Sequence, residues 1–422
     1  MTSSVSSKLP FVLAFLLVVC IAAATIVENH LGTDYALQHI YGAWWFIALW
    51  GLLAVAGCLL MYKRKLWKRM PVLVLHLSFL VILAGALTTH ITSKRGMLHL
   101  REGEVTRTYW VKNEQGLYVQ TKELPFYLAL RDFEVLYDKD GVSPSDYVSH
   151  VVLSTQDGQK EVTISMNNIG RAEGFRIYQT SYDDDEQGSV FTVSYDPWGT
   201  GITYAGYLLL ALSMIWVSFS KKQNSKSKIQ NSETENNGQW STPKGSRAES
   251  ENEVAMVNVE GVASELRERS GNGQWSTVLL AICGTIMASY MVIAICRSPL
   301  VPVLRSPFLF VHVGTIMLSY ILLVVSIIRR DLLRPAVFLL ATGIFLGALW
   351  ANVSWGTYWS WDPKESWALI TLLVYSVPLH TESLPWFRST RHYRIYSLVA
   401  LACLLMTYFG VNFLLGGMHS YA

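Results

Sequence analysis

Nine stretches of predominantly apolar residues punctuate the chain, at roughly 9–27, 42–61, 71–90, 201–219, 276–296, 307–328, 335–353, 367–384 and 395–416. A helix of about 20 such residues crosses the hydrocarbon core of a bilayer. The pattern predicts a mainly α, polytopic membrane protein with about nine spans. Lys and Arg are distributed unevenly between the connecting segments. Fifteen fall at 63–69, 221–228, 329–334 and 388–394, against three (Arg297, Arg305 and Lys364) in the opposite short loops. Basic residues favour the cytoplasmic side, so the N-terminus is expected inside and the C-terminus, after an odd number of spans, outside. Segment 9–27 is read as a retained helix, because Val19 stands where a lipoprotein signal would need a small residue before Cys20.

Two long insertions break the apolar rhythm. Residues 91–200 contain alternating, aromatic and β-branched runs at 126–137, 161–166, 175–182 and 189–195, punctuated by Gly and Asp. They predict a small β-rich domain on the outer, periplasmic side. Residues 220–274 are rich in Ser, Asn, Gly, Glu and Lys with no apolar run, and predict a disordered cytoplasmic linker. The expected organisation is a membrane module at 1–219, the linker at 220–274, and a second membrane module at 275–422. The second contains a tryptophan-rich loop at 350–367.

Composition narrows the chemistry. Hydrophobic residues make up 51% of the chain and charged residues 15%, which excludes an ordinary soluble enzyme. A net charge of +3 with no large basic patch points away from nucleic acid and leaves the lipid bilayer as the expected environment. None of the five cysteines forms CxxC, which disfavours a thiol–disulfide relay, a zinc knuckle or a covalently held c-type haem.

An ionisable residue inside a span is a candidate functional group. His76 lies five residues after Pro71, roughly 8 Å into the third span from the inner surface. His380 lies thirteen residues after Trp367 in a helix expected to run inward, roughly 20 Å from its outer end. Both therefore fall in the inner half. A second pair falls on the outer side: His312, five residues after Pro307, and His419, in Gly-Gly-Met-His-Ser-Tyr after the last span. Two histidines at each of two depths would suit two bis-imidazole haem sites, since neutral imidazole is a common axial ligand. Hydrogen-bonded packing histidines are the alternative reading of the same residues. His30, His39, His90, His99, His150 and His392 fall in loops, at span ends or in the outer domain, and are read as solvated or structural.

The loop at 350–367 reads Trp-Ala-Asn-Val-Ser-Trp-Gly-Thr-Tyr-Trp-Ser-Trp-Asp-Pro-Lys-Glu-Ser-Trp. Such clustering exceeds what an interfacial aromatic belt requires. Trp350, Trp355, Trp359, Trp361 and Trp367, with Tyr358, are expected to form a flat aromatic platform beside His312 and His419 for a large planar ligand. Asp362, Pro363 and Glu365 carry the signature of a helix N-terminus, with Asp362 as its cap. Lys364 could pair with a ligand carboxylate or face solvent. No residue stands out as a catalytic acid or base.

This loop resembles the WWD signature of the haem-handling superfamily, and its form at 355–367 looks most like CcsA (ResC). Ser-Pro-Phe-Leu-Phe-Val-His at 306–312 and the closing Gly-Gly-Met-His-Ser-Tyr also match that family. The first module resembles CcsB (ResB) in Leu-His-Leu-Ser-Phe-Leu-Val-Ile-Leu-Ala-Gly at 75–85 and Gly-Phe-Arg-Ile-Tyr-Gln-Thr-Ser-Tyr at 174–182. Ser360 and Ser366 stand where many relatives have Gly and Thr, and the outer domain is short for a ResB protein. The resemblance implies a fused CcsB–CcsA protein of cytochrome c biogenesis in a bacterial inner membrane. It implies that His76 and His380 ligate haem b within the membrane. It implies an outer site of His312 and His419, with Trp355, Tyr358, Trp359, Trp361 and Asp362 around the haem. Covalent attachment to the CxxCH of apocytochrome c would follow, with a thioredoxin-like thiol reductant as a second partner. A haem exporter or delivery subunit without ligase activity, and a quinone-linked cytochrome b, are the rival readings.

Overall fold

The computed structural model describes residues 2–112, 118–137, 144–237 and 306–415. The 276–296 segment and His419 lie outside them. The chain divides into two compact units, Met1–Ala211 with Arg297–Ala422, and Leu212–Cys296. The site described below lies in the first.

Among the described residues, seven helical stretches are long and apolar enough to cross a membrane. They belong to α1 (Thr2–Leu31), α2 (Trp44–Lys63), α3 (Met70–Thr92), α4 (Gly199–Asn237), α5 (Pro307–Ser326) and α6 (Leu333–Trp355), and to a last stretch that includes α8. Helix α8 (Thr390–Leu405) continues through a π-helical turn, Met406–Gly410, to Leu414. The expected span at 367–384 takes a different form. Helix α7 (Pro363–Ser376) has 14 residues and gives way to a 3-10 turn, Val377–Leu379. Fourteen residues rise only about 21 Å, short of the roughly 30 Å core. Pro378 supplies the reason, since it lacks the N–H that would bond the carbonyl one turn back and its ring crowds that carbonyl. Helix α4 in turn runs past the expected span end at 219 to Asn237. No Gly or Pro falls between Tyr207 and Asn237 to stop it.

Helices from the two ends of the sequence share one core. Leu17, Ile21 and Ala24 of α1, Phe46 and Leu49 of α2, and Ile370 of α7 are buried together. Helices α3 and α4 cross where side chains are small. A Cβ on Gly85 would fall within 2.6 Å of the Thr203 backbone nitrogen, and one on Gly206 within 2.6 Å of the Ile82 side chain. Small residues at such crossings let helices approach closely without a hydrophobic drive from water.

Between α3 and α4 lies the β domain. Its strands are β1 (Lys94–Arg101), β2 (Val105–Lys112), β3 (Tyr118–Tyr137), β4 (Pro144–Thr155), β5 (Gly158–Ser165), β6 (Gly170–Ala172), β7 (Phe175–Tyr182) and β8 (Gly188–Tyr195). They form one antiparallel sheet in the order β5-β4-β3-β2-β1-β8-β7-β6. The β-rich expectation for 91–200 holds. The sheet curls like a barrel around an apolar interior that includes Leu98, Phe126, Leu128, Ile164, Ile177 and Phe191. Ser149 of β4 reaches across this interior, its hydroxyl 2.7 Å from Gln179 Oε1 on β7 and 3.0 Å from Ser189 Oγ on β8. Gln179 Nε2 donates to Ser189 Oγ at 2.7 Å, so the buried polar cluster is mutually satisfied. The length of β3 serves two neighbours. Thr106 pairs with Leu128 but Thr108 with Glu123, so β3 bulges opposite Arg107. Pro125 sits in that bulge, where no ladder N–H is needed.

Asp196 ties the domain to the helices. Its carboxylate accepts from the backbone N–H groups of Gly199 and Thr200, both at 2.9 Å, and from the Thr89 hydroxyl at 2.8 Å. It thereby caps the start of α4 and holds it beside the end of α3. Asp196→Ala should cost about 1–2 kcal/mol. Hydrogen exchange should reveal the change as faster exchange in the first turn of α4, with the centre of the sheet unchanged; uniform loosening of the sheet would contradict this local role.

Candidate functional site

At the end of the bundle away from the β domain, His76 of α3 and His380, just after α7, come together. Their ring centroids are 6.0 Å apart, with the planes at 80°. His76 Nδ1 lies 2.7 Å from the Val72 carbonyl and His380 Nδ1 lies 3.1 Å from the Ser376 carbonyl. A carbonyl only accepts, so each Nδ1 carries the proton and each Nε2 keeps its lone pair. This is the ligating form of imidazole, with its tautomer and orientation held by the second hydrogen bond. Phe11 of α1 packs edge-on against His380, centroids 5.4 Å apart.

The loop that carries His380 is anchored below the pair. Ser383 N–H and Leu384 N–H both donate to the His380 carbonyl, at 3.0 and 2.9 Å, closing a tight turn. Within it, Glu382 receives Arg69 Nη1 on its carboxylate at 2.6 Å and Arg64 Nη2 on its main-chain carbonyl at 2.9 Å. The hydrogen bond from Arg69 holds the Glu382 carboxyl below its ordinary pKa. Arg64, Arg69 and Glu382 escaped the reading of single histidines. Arg64 and Arg69 belong to the basic cluster at 63–69, whereas Glu382 carries no signal in its own stretch of sequence.

At the opposite end, beside the β domain, α6 runs into the tryptophan-rich loop. It ends at Gly356, whose φ of +79° is left-handed. A Cβ there would meet the Tyr178 ring at 2.6 Å. The β domain grips this helix end by several bonds. Tyr178 OH donates to the Asn352 carbonyl at 3.1 Å, Arg176 Nη1 to Asn352 Oδ1 at 3.1 Å, and Ser194 Oγ to the Gly356 carbonyl at 3.2 Å. Arg95 Nη2 donates to the Trp355 carbonyl at 3.3 Å. Arg95 and Ser194 lie outside the motifs read from the sequence, whereas Arg176 belongs to the 174–182 segment and Asn352 to the tryptophan-rich loop.

The aromatic residues do not make one flat platform. Trp355 meets Trp350 edge-on, centroids 4.8 Å apart. Tyr358 is buried and donates its hydroxyl proton to Thr89 at 2.8 Å. Trp359 meets Trp361 edge-on, and Trp361 stacks on Tyr41 at 4.6 Å and 10°. Two demands compete with coplanarity: each ring must bury its faces, and Trp361 adopts φ +61°. The N-terminal signature at Asp362 is borne out. Asp362 Oδ1 accepts from Lys364 N–H at 2.9 Å, Pro363 opens the helix, and Glu365 Oε2 accepts from Ser360 N–H at 2.9 Å. Trp367 Nε1 donates to Thr25 Oγ1 at 3.1 Å, tying α7 to α1.

His312 of α5 belongs to this same end. Its Nδ1 lies 2.7 Å from the Gly343 carbonyl on α6, so its Nε2 also carries the lone pair. Gly347 leaves space for the ring, since a Cβ there would fall 2.5 Å from His312 Cε1. One turn earlier on α5, Leu309 packs with Trp350, Trp355 and Met166 of the β domain. The pairing of His312 with His419 falls outside the described residues.

Comparison with known proteins fits this division. Residues 56–204 match the ResB-like family, and residues 328–419 match the cytochrome C assembly protein family. One polypeptide therefore joins a ResB-like region to a cytochrome c assembly region. Protein NrfI of Wolinella succinogenes is 40% identical over 309 residues, covering 50% of this chain and 34% of that protein. Cytochrome c biogenesis protein CcsA of Chlamydomonas reinhardtii is 32% identical over 177 residues, covering 34% of this chain and 50% of the relative. CcsA of Synechococcus sp. strain JA-3-3Ab is 51% identical over 83 residues, covering 20% and 24%. The chain thus spans half or less of the length of each of these relatives. The joined regions are consistent with a fused CcsB–CcsA protein of cytochrome c biogenesis. His76 lies in the ResB-like region and His380 in the cytochrome c assembly region.

Proposed function

We propose that this chain carries haem b across a bacterial inner membrane and attaches it covalently to the CxxCH of apocytochrome c on the periplasmic side. The observation that carries this reading is the convergence of His76 and His380 from the two joined regions. Two imidazoles on opposite sides of one iron, each about 2 Å from it, would hold their ring centroids roughly 6 Å apart. The observed separation is 6.0 Å, with both Nδ1 atoms engaged and both Nε2 lone pairs available in the tautomer present.

In this reading the inner pair receives haem from the cytoplasmic side. His312 and His419 hold it at the outer site, with Trp355, Tyr358, Trp359, Trp361 and Asp362 shaping its surroundings. The chemistry there is an addition. Each client thiol gives its sulfur to one vinyl carbon and its proton ends on the other, so a C–S bond forms and no net oxidation occurs. The chain's contribution is to hold haem and both thiols in register. A thioredoxin-like reductant keeps the client thiols free. The N-terminus is cytoplasmic and the C-terminus periplasmic.

The test is co-expression with a CxxCH apocytochrome in cells that lack their own maturation system. The client should acquire covalent haem. Replacing Trp355, Trp359 and Trp361 together by alanine should lower that product about a hundredfold through lost positioning. The haem absorbance of the His76–His380 pair should remain. Bound haem without covalent product in the unmodified protein would make this chain a carrier. Equal haem loss from both sites in the triple variant would remove the assignment of the loop to a separate outer site.

A further inference from the structure

Arg64 and Arg69 both donate to Glu382, two residues beyond His380, Arg69 to its carboxylate and Arg64 to its main-chain carbonyl. The Arg69–Glu382 pair is open to solvent, with side chains 65% and 56% exposed. An exposed pair of this kind adds little to stability. Its position is more telling than its strength. Arg69 precedes α3 and sits seven residues before His76, about 10 Å along the helix axis. That is the scale of the reach from a porphyrin's iron to its propionate carboxylates. Glu382 sits two residues beyond His380, in the turn closed on the His380 carbonyl. The two arginines and the two histidines therefore form one set. The imidazoles can hold an iron, and the guanidinium groups can hold carboxylates at the same end of the same cargo.

We infer that Arg64 and Arg69 form the binding site for the haem propionates at the inner pair, and that the Glu382 carboxylate occupies the Arg69 half of it as a stand-in until haem arrives, while Arg64 rests on the Glu382 main-chain carbonyl. The inference rests on the proposed haem-carrying function and adds the chemistry by which the cargo is recognised. Arginine is suited to the task, because its planar fork matches a carboxylate's two oxygens. A propionate entering beside iron ligation can displace Glu382 at little cost, since it exchanges one carboxylate for another. The released turn 380–384 is then free to adjust His380 to the iron. The exposed Tyr62 and Trp67, whose rings lie 5.3 Å apart on the same side of the bundle, flank the arginines. They offer apolar faces to the edge of a porphyrin.

The test uses the purified full-length chain, titrated with haem and with haem dimethyl ester, whose propionates are neutral. Binding is read from the bis-histidine absorbance. The unmodified protein should bind haem at least tenfold more tightly than the ester, the order expected for losing a charge-assisted hydrogen bond. Arg64→Ala/Arg69→Ala should bind haem about tenfold more weakly and should no longer distinguish haem from its ester. Arg69→Lys, which keeps the charge but loses the fork, should fall between. Glu382→Gln should bind haem about two- to fivefold more tightly, because the competing carboxylate is gone. A purely structural latch gives the opposite sign, since loosening the turn would weaken His380 as a ligand. Equal affinity for haem and ester in the unmodified protein would overturn the inference. Weaker binding by Glu382→Gln would overturn it as well. Undiminished haem absorbance in a His76→Ala/His380→Ala variant would instead overturn the underlying haem-site reading.

Discussion

Replacing His76 or His380 by alanine is expected to abolish the inner haem absorbance and to reduce covalent haem on a co-expressed apocytochrome to background. In the proposed haem site each histidine would supply one of two axial ligands. Phe11, which packs edge-on against His380, is apolar and cannot take the place of either imidazole. The loss should be functional, with little effect on folding. Each substitution removes one side-chain bond to a helix carbonyl, at 2.7 Å for His76 and 3.1 Å for His380. A typical bond of this type contributes about 1 kcal/mol, so the protein should still accumulate in the membrane. His392, which stacks on the exposed Trp386, provides the contrast. His392→Ala should leave both signals intact. Haem absorbance at full strength in His76→Ala and in His380→Ala would contradict bis-histidine ligation at this pair.

Gly356→Ala is expected to uncouple the β domain from the tryptophan-rich loop and to remove covalent attachment while the inner haem persists. Two penalties act at this position. The φ of +79° is unfavourable for any residue with a Cβ, at about 1–3 kcal/mol. The new methyl would also stand 2.6 Å from the Tyr178 ring. The neighbouring groups cannot easily yield, because Tyr178 is bonded to Asn352 and Ser194 to the Gly356 carbonyl itself. Tyr178→Phe is the graded control: it keeps the ring and loses one hydroxyl bond, at about 1 kcal/mol. The expected order of product yield is unmodified protein, then Tyr178→Phe, then Gly356→Ala. Limited proteolysis should find the β domain more accessible in Gly356→Ala. Normal yield from that variant would mean that the clamp on α6 is dispensable for attachment.

What can be read from the chain by itself follows from the range of the forces involved. Apolar runs such as 42–61 and 71–90 reveal membrane-capable helices because each helix satisfies its own backbone and needs only an apolar exterior. The alternating runs in 91–200 reveal strands for a different reason, because successive side chains of a strand point to opposite faces of its sheet. Asp362, Pro363 and Glu365 announce a helix start because capping involves only neighbours in sequence. The eighth apolar run misleads because its hydropathy averages over Pro378, which ends the helix well short of a span.

The site itself mixes both kinds of information. His76, His380 and His312 were visible as polar residues in apolar surroundings. Their depths could be counted along each helix, but their partners could not. The rotation of α3 against α7 decides whether His76 faces His380, and that rotation comes from packing. The aromatic residues of 350–367 show the difference most clearly. Their density is plain in the sequence, and a single platform was the simple expectation. Trp361 instead turns to stack on Tyr41, because the core formed by α1, α2 and α7 offers it a buried face.

The sequence alone thus determined seven membrane-capable helices, the β-rich insertion, the helix cap and the histidines that stand out inside apolar runs. Each depends on interactions within a few residues. Only the tertiary structure decided that His76 meets His380, that Arg64 and Arg69 close on Glu382, and that the β domain grips the end of α6 through Arg176, Tyr178 and Ser194. Those contacts join residues far apart in the chain. They are selected by side-chain packing between helices and by hydrogen-bond geometry, neither of which leaves a periodic trace in the order of residues.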